Sequence, residues 1–466
     1  MNKPELLLPA GSLSNLKTAF LYGADVVYCG TPTMSLRARS KMTLEDVIEG
    51  IKYAHSVNKK VYLTMNLIAH NSDIEKLPEY VEALKTTNPD GVIVADPAIF
   101  EYVRKELPML NLHVSVQSCV TSWLGVQFWE KMGAKMCILA RELGYQELKE
   151  IREKCPNIRL EMFIHGSMCM SYSGRCLLSN YFTGRDANKG KCAHSCRWNY
   201  KVRLKLKDNI KKEFLLDDNT KELFDFLLQE ETRTSDLLEL DEHENGATLL
   251  NSKDLCLLPR LESYIKSGVD CLKVEGRNKT QYYVGMVART YRKAIDDYFN
   301  NPTSWKYEDY IEDLYSISNR GYSLAFADGR PTALANSYDI TRSLSEWEFA
   351  GFIKDYDNDF MYIEVKNRLD AGCEMEFISP SYDKIYKIIL NEFIIEKDNK
   401  VVICVSAGQE QAIKIPLSVF KGVDNIRDIM PKLTLIKIKN NKLNEEQIKR
   451  IQQDKVDFKK EISKDL

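Results

Sequence analysis

No apolar run in this chain approaches the ~18 residues of a membrane-spanning helix, so no span is predicted and no membrane partner is expected. The opening MNKPELLLPAG carries too short an apolar segment for a signal peptide, and a cytoplasmic location is expected. Histidine is scarce. The six present form no pair at helical spacing and no HExxH, which argues against a zinc hydrolase. G-x-S-x-G is also missing, so a serine nucleophile on a sharp elbow is not predicted. An excess of one charge is lacking too: 65 Lys and Arg stand against 67 Asp and Glu. A formal charge of -2 excludes a globally basic nucleic-acid binder and leaves only local basic surfaces; DNA is not an expected partner.

What the chain has is length and rhythm. At 466 residues, 44% of them hydrophobic, it can bury a full core and divide into more than one domain. Short apolar runs (ELLLPAG, DVVYCG, KVYLTMN, GVIVADPA, HVSVQSC, MCILARE, RLEMFIHG) alternate with amphipathic stretches such as SNLKTAFLYGA and LEDVIEGIKYAHSV. An eighth run, DCLKVEGR, follows after a long interval. This repeat predicts an α/β fold, a (β/α)8 TIM-like barrel whose active-site groups sit at the C-terminal strand ends and in the loops beyond them. An open doubly wound sheet is the alternative, disfavoured because no glycine-rich phosphate loop follows the first strand. In a barrel, Tyr28, Cys29, Asn66, Asp96, Gln117, Ser118, Arg141, Glu142, His165, Lys273, Glu275 and Arg277 fall in one polar strand-end ring.

The barrel domain is expected over residues 1–327, with an insertion near 166–269 between strands seven and eight. Within it KVRLKLKDNIKKEFLL reads as a hairpin and KELFDFLLQEE as a short helix. A turn-rich linker, 328–342, leads to EFAGFIKDY, FMYIEVKN, CEMEFISP and KVVICVSA, which predict a small C-terminal β-barrel over 343–438. Residues 439–466 form a charged tail, expected as a surface helix or as disorder.

Chemistry concentrates in EMFIHGSMCMSYSGRCLLS, residues 161–179, and NKGKCAHSCRW, residues 188–198. Of twelve cysteines, Cys29, Cys119, Cys137 and Cys271 lie in or beside strands, where a thiol is usually a small buried hydrophobe; Cys155, Cys373 and Cys404 have no partner spacing. The loop set differs. Six residues separate Cys169 from Cys176, fifteen separate it from Cys192, three more lead to Cys196, and Cys256 lies at the far end of the insertion. A four-thiolate site would hold zinc or an iron–sulfur cluster. The lack of paired CxxC knuckles, with Gly174 and Gly190 to let the backbone fold closely, favours the cluster. Five cysteines compete for four positions. A catalytic cysteine with His165 or His194 as its base is a competing reading, because a Cys/His pair is the minimum for thiol catalysis.

The E-x-F-x-x-G-S-M-C spacing from Glu161, followed by S-G-R-C-x-x-S, resembles the motif of the collagenase-like peptidase family, number thirty-two among peptidases of unassigned type. The similarity also covers ELLLPAGSLSNLKTAFLYGADVVYCG, LARELG, NKGKCAHSCRWNY and the block from EETRTSD to LKVEGR, so it spans about the first 300 residues. The resemblance implies oxygen-independent hydroxylation with a [4Fe-4S] cluster on four cysteines, acting on tRNA, ribosomal RNA or a ubiquinone precursor. Length and the appended C-terminal strands are similar to the tRNA branch, which implies 5-hydroxyuridine at the wobble position, prephenate as co-substrate and room for a paralogous partner subunit. Carried over residue by residue, the ligands are Cys169, Cys176, Cys192 and Cys256, with Cys196 as the alternative fourth. A collagenase-like peptidase is the alternative function, and a non-catalytic cluster-bearing scaffold a third.

Basic residues follow the same face: Arg37, Arg39 and Lys41 after strand two, Lys189, Lys191, Arg197, Lys201, Arg203, Lys205 and Lys207 in the insertion, and Arg277 and Lys279 after strand eight. With Tyr172, Tyr181, Phe182 and Trp198 to stack bases, they suit a splayed tRNA anticodon loop, and Arg197, Lys201, Arg203 and Lys205 are the expected RNA contacts. The bland alternative is that Lys201 to Lys207 are only the solvated face of a hairpin. Arg277, Asn66 and Gln117 are the expected small-molecule residues, with Arg141 or Arg277 as a carboxylate clamp. His165, Glu275 and Arg141 are the catalytic candidates.

Overall fold

The computed structural model describes residues 2–30, 42–198, 251–337, 343–382, 384–408, 411–420 and 422–463, together with the backbone of short strands between 203 and 247. Eight parallel strands form the first domain: β1 (Glu5–Ala10), β2 (Val26–Gly30), β3 (Lys60–Met65), β4 (Gly91–Val94), β5 (Leu112–Val114), β6 (Met136–Ile138), β7 (Arg159–Ser167) and β8 (Cys271–Val274). Each pairs in parallel with the next, and β8 pairs with both β7 and β1, so the sheet closes. Both faces of such strands are covered, which is why they read as unbroken apolar runs rather than as alternating ones. In β1 and β2 every residue after Glu5 is buried.

Helix starts are set by capping side chains. Ser12, Thr43, Asp96, Ser122 and Thr280 each accept a hydrogen bond from a backbone N–H of the first turn, satisfying a donor that the helix leaves open. These caps fix the turns that leave the strand ends. β7 continues past the barrel, and the short strand Asp254–Cys256 runs antiparallel along its end, with Cys256 opposite His165. This strand brings the chain back from the insertion.

The expected hairpin is present, with Arg203–Lys205 antiparallel to Glu213–Leu215. The helix expected in KELFDFLLQEE is not what its end forms. Leu227–Glu230 is a strand paired with Arg233–Glu239, so cross-strand pairing overrides the helical leaning of a leucine-rich run. After the barrel, the C-terminal strands form an eight-stranded antiparallel sheet and a separate pair, Leu369–Asp370 with Cys404–Val405, around their own core, including Ile353, Met361, Phe377 and Ile436. The charged tail forms helix Glu445–Ile462, opened by an Asn444/Gln447 capping box and packed inward through Phe458 at 1% exposure. Among the described residues no helix is long and apolar enough to cross a membrane.

Candidate functional site

At the C-terminal strand ends lies a cavity of about 190 Å³, lined by barrel residues Tyr28, Thr64, Asn66, Gln117, Arg141, Phe163, Lys273, Glu275 and Arg277 and by both cysteine loops. Its position is where barrel enzymes place their chemistry. Gly166 makes the junction of β7 and β8 possible: φ is +115°, and a Cβ there would meet the Glu275 carbonyl oxygen at 2.6 Å. A larger cavity of about 660 Å³ opens at the opposite end, beside Tyr62, His113 and Arg159. That end of a barrel serves stability, and no cysteine lines it, so we place the candidate site at the smaller cavity.

Cations dominate the barrel wall. The Lys273 ammonium is 2.6 Å from Glu161 Oε1, with both side chains buried, and stands over the rings of Tyr28 at 4.3 Å and Phe163 at 5.3 Å. Arg277 donates to Thr64 Oγ1 at 2.8 Å and is 7% exposed. Arg141 donates from Nη1 to the Ser167 carbonyl at 3.0 Å, while its buried Nε has no partner. Gln117 donates from Nε2 to the Ser173 carbonyl at 3.0 Å and leaves its buried Oε1 without a partner. A buried acceptor and a buried donor left open at one cavity are what a polar ligand would complete.

Asn66, Gln117, Arg141, Glu275, Arg277, Arg197 and the four thiols Cys169, Cys176, Cys192 and Cys196 all meet here. His165 and Cys256 do not line the cavity. His165 is 1% exposed, packed among Tyr283, Tyr291 and Tyr322, with Nδ1 3.4 Å from the Tyr291 hydroxyl. Burial depresses its pKa to about 3, so it is neutral and has no route to a thiol in the cavity. The register of β8 on β7 slips between Lys273 and Val274, from Phe163 to His165, and such a slip changes which way a side chain faces. Cys256 shares that core: fully buried, its sulfur 3.9 Å from the Tyr291 hydroxyl, its thiol pushed up to about 12 by burial. Lys201 and the side chains of Arg203 and Lys205 lie outside the described residues, as do Arg37, Arg39, Lys41 and Lys207.

Whether the donor set fits a cluster is decided by the thiols. Burial raises the Cys196 pKa, Arg197 opposes it, and Cys169, Cys192 and Cys176 raise it further, so the four sulfurs form one electrostatic group. Among the described residues no three Cys, His, Asp or Glu side chains converge on a single metal-ion position. A cubane takes one thiolate per iron, so its ligands need not share one point, and an all-sulfur set on one cavity wall fits it. The loops are held from both sides. The Asn188 side chain clasps Cys176, accepting from its N–H and donating to its carbonyl, each at 3.1 Å. The His194 N–H donates to Cys192 Sγ at 3.3 Å.

Lys273 and Glu142 are legible as members of the strand-end ring, but nothing in the sequence shows that Lys273 pairs with Glu161 or that Glu142 grips Ser173, 31 residues away. The Asn188 clasp on Cys176 carries no motif of its own.

Residues 11–337 match the model described as peptidase family U32, and residues 345–427 match its C-terminal domain. Among curated proteins, tRNA hydroxylation protein P of Escherichia coli (strain K12) is 36% identical over 398 residues, covering 82% of this chain and 87% of the relative. tRNA hydroxylation protein P1 of Bacillus subtilis (strain 168) is 36% identical over 385 residues, covering 82% and 85%. The 23S rRNA 5-hydroxycytidine C2501 synthase of Escherichia coli (strain K12) is 30% identical over 292 residues, which is 63% of this chain and 39% of that enzyme. With both domains matched along nearly their whole length, the chain belongs to peptidase family U32.

Proposed function

We propose that the chain is an oxygen-independent RNA hydroxylation enzyme that forms 5-hydroxyuridine at the tRNA wobble position, with prephenate as co-substrate and a [4Fe-4S] cluster held by Cys169, Cys176, Cys192 and Cys196. The observation that carries it is the union in one cavity of four loop thiols with the cations Arg141, Lys273 and Arg277, the last two buried. The names of the relatives, two tRNA hydroxylation proteins and an rRNA hydroxycytidine synthase, support RNA as the substrate class. Cys256, locked in the tyrosine core, is not a ligand in this assignment.

A cluster in that cradle supplies one-electron chemistry. The chain's own residues do the rest. Prephenate is a dicarboxylate, and Arg141 and Arg277 offer it cations at the cavity beside the lining carboxylate Glu275, while the Lys273 ammonium is already paired with Glu161. The open Oε1 of Gln117 accepts from a donor hydroxyl. In and beside the cysteine loops, Tyr172, Tyr181, Phe182 and Trp198 are 52, 84, 48 and 40% exposed, and exposed aromatic faces stack unpaired bases. Of the two candidate bases for a thiol nucleophile, His165 is buried and neutral, and a peptidase reading rests on His194 alone, which lines the cavity with the cysteines.

The test is mass spectrometry of tRNA nucleosides from a deletion strain. Loss of wobble 5-hydroxyuridine, restored by the wild-type gene, is the expected result. An unchanged nucleoside profile together with lost gelatin cleavage overturns the proposal in favour of a peptidase. Anaerobically reconstituted protein should also carry about four iron and four sulfide per chain.

A further inference from the structure

We infer that Glu142 is a positioning residue: its carboxylate latches the loop between Cys169 and Cys176 onto the barrel and so fixes where those two thiols stand. The inference rests on the cluster assignment above but concerns a residue that touches neither cluster nor substrate.

Both carboxylate oxygens are committed to one residue. The Ser173 N–H donates to Oε1 at 2.5 Å, and the Ser173 hydroxyl donates to Oε2 at 2.6 Å. The Ser173 carbonyl accepts from Gln117 Nε2 at 3.0 Å, so the polar groups of this residue are held by side chains from the ends of β5 and β6. Arg175 extends the attachment by donating to the Gln117 carbonyl at 2.7 Å. Ser173 is fully buried and holds φ +45° and ψ +29°, a left-handed conformation that a non-glycine residue keeps only where its surroundings enforce it. The next residue, Gly174, has φ +85°, and a Cβ there would meet Gln117 Nε2 at 2.8 Å.

This bend lies midway between the two cysteines. Cys169 is exposed and Cys176 half-buried, so little apolar packing holds either thiol in place. Hydrogen bonds must do it. Cys176 has a second attachment through Asn188, and the Cys169 side is held by Glu142 and Gln117 at the bend together with Arg197, which donates to the Met168 carbonyl at 3.2 Å. Charge-assisted bonds to a carboxylate are the strongest available for such a task.

Three variants test this: Glu142→Ala, Glu142→Gln and Ser173→Ala. In iron-free protein, hydrogen–deuterium exchange of the peptide spanning 168–177 should rise about tenfold or more in E142A, the effect of losing a hydrogen bond to a charged group, with barrel peptides unchanged. After reconstitution E142A should bind less iron than wild type and show an altered electron paramagnetic resonance spectrum. E142Q should restore both, because its amide accepts from the Ser173 N–H and donates to the hydroxyl. S173A deletes one of the two contacts, should give a smaller rise in the same peptide, and serves where E142A does not fold. Wild-type exchange in 168–177, or wild-type iron content and spectrum in E142A, overturns the inference. A wild-type protein that takes up no iron defeats the cluster assignment, while the iron-free exchange comparison still judges the latch.

Discussion

Two histidines and one cysteine show how residue environment decides role. His113 and His165 are both fully buried, and burial is the largest cause of their depressed pKa values, each about 3 against an ordinary 6.5. The folded protein therefore binds fewer protons than the unfolded chain below pH 6.5, so their contribution to stability is complete above that pH and is lost as pH falls towards 3. Asp254 joins at lower pH. Burial raises its pKa, but Arg320, Lys279 and Arg197 together outweigh it and hold the carboxyl at about 2, so its contribution disappears as pH falls through that value. Asp454 and Glu461, raised by burial, act in the opposite sense. Near pH 5 unfolding should take up about one proton per buried histidine, and His165→Gln should lower that uptake by about one, read from the pH dependence of the denaturation midpoint. An unchanged slope would place His165 in contact with water. For the thiols, Cys196→Ala should reduce iron uptake on reconstitution, whereas Cys256→Ala should leave iron unchanged and cost about 1 kcal/mol of stability. Iron loss in C256A alone would return the fourth ligand to Cys256.

At the scale of elements, the strands were legible and the loops were not. Parallel barrel strands buried on both faces announce themselves as apolar runs, so ELLLPA and DVVYCG locate β1 and β2 without ambiguity. The cysteine spacing marks the loops but not which sulfurs meet. Cys256 follows Asp254 on a strand laid along β7, and only that pairing sends its thiol into the tyrosine core. The charged tail is the surface helix that was one of its two expected forms, but its attachment was not legible. Its sequence is rich in Lys and Glu, yet helix Glu445–Ile462 sinks Phe458 beside Tyr322 and sets Asp454 and Asp457 3.1 and 3.6 Å from the buried Lys253 ammonium. A charged helix here is a fixed part of the barrel's side. Phe458→Ala should therefore cost about 3–5 kcal/mol, measured by chemical denaturation. A loss within ~0.5 kcal/mol, typical of a surface substitution, would show that the helix is only loosely attached.

Over the whole molecule, the question is whether the C-terminal sheet is a detachable module. Every residue lining the cavity comes from the barrel or its cysteine loops, so the sheet contributes no lining group. Its attachment is nonetheless intimate. The Tyr22 hydroxyl, fully buried at the end of the first barrel helix, donates to the Ile378 carbonyl at 2.6 Å and accepts from the Leu435 N–H at 2.9 Å. Arg289 donates to the carbonyls of Ser379 and Tyr382 and lies over the Tyr382 ring at 4.2 Å. Phe352, Ile378 and Leu435 belong to the barrel's own apolar core rather than to that of the sheet. Helix Gln281–Asn300 comes so close that a Cβ on Gly285 would meet the Leu435 side chain at 2.4 Å. A joint that shares core residues and buried hydrogen bonds couples the two parts, so calorimetry should show one cooperative transition for the full chain. Tyr22→Phe leaves the Leu435 N–H without its acceptor, costing about 1–3 kcal/mol, and should lower the midpoint without splitting the peak. Two separated transitions in the wild type would mean that the sheet folds and unfolds on its own, and that its contact with the barrel is a docking surface rather than a shared core.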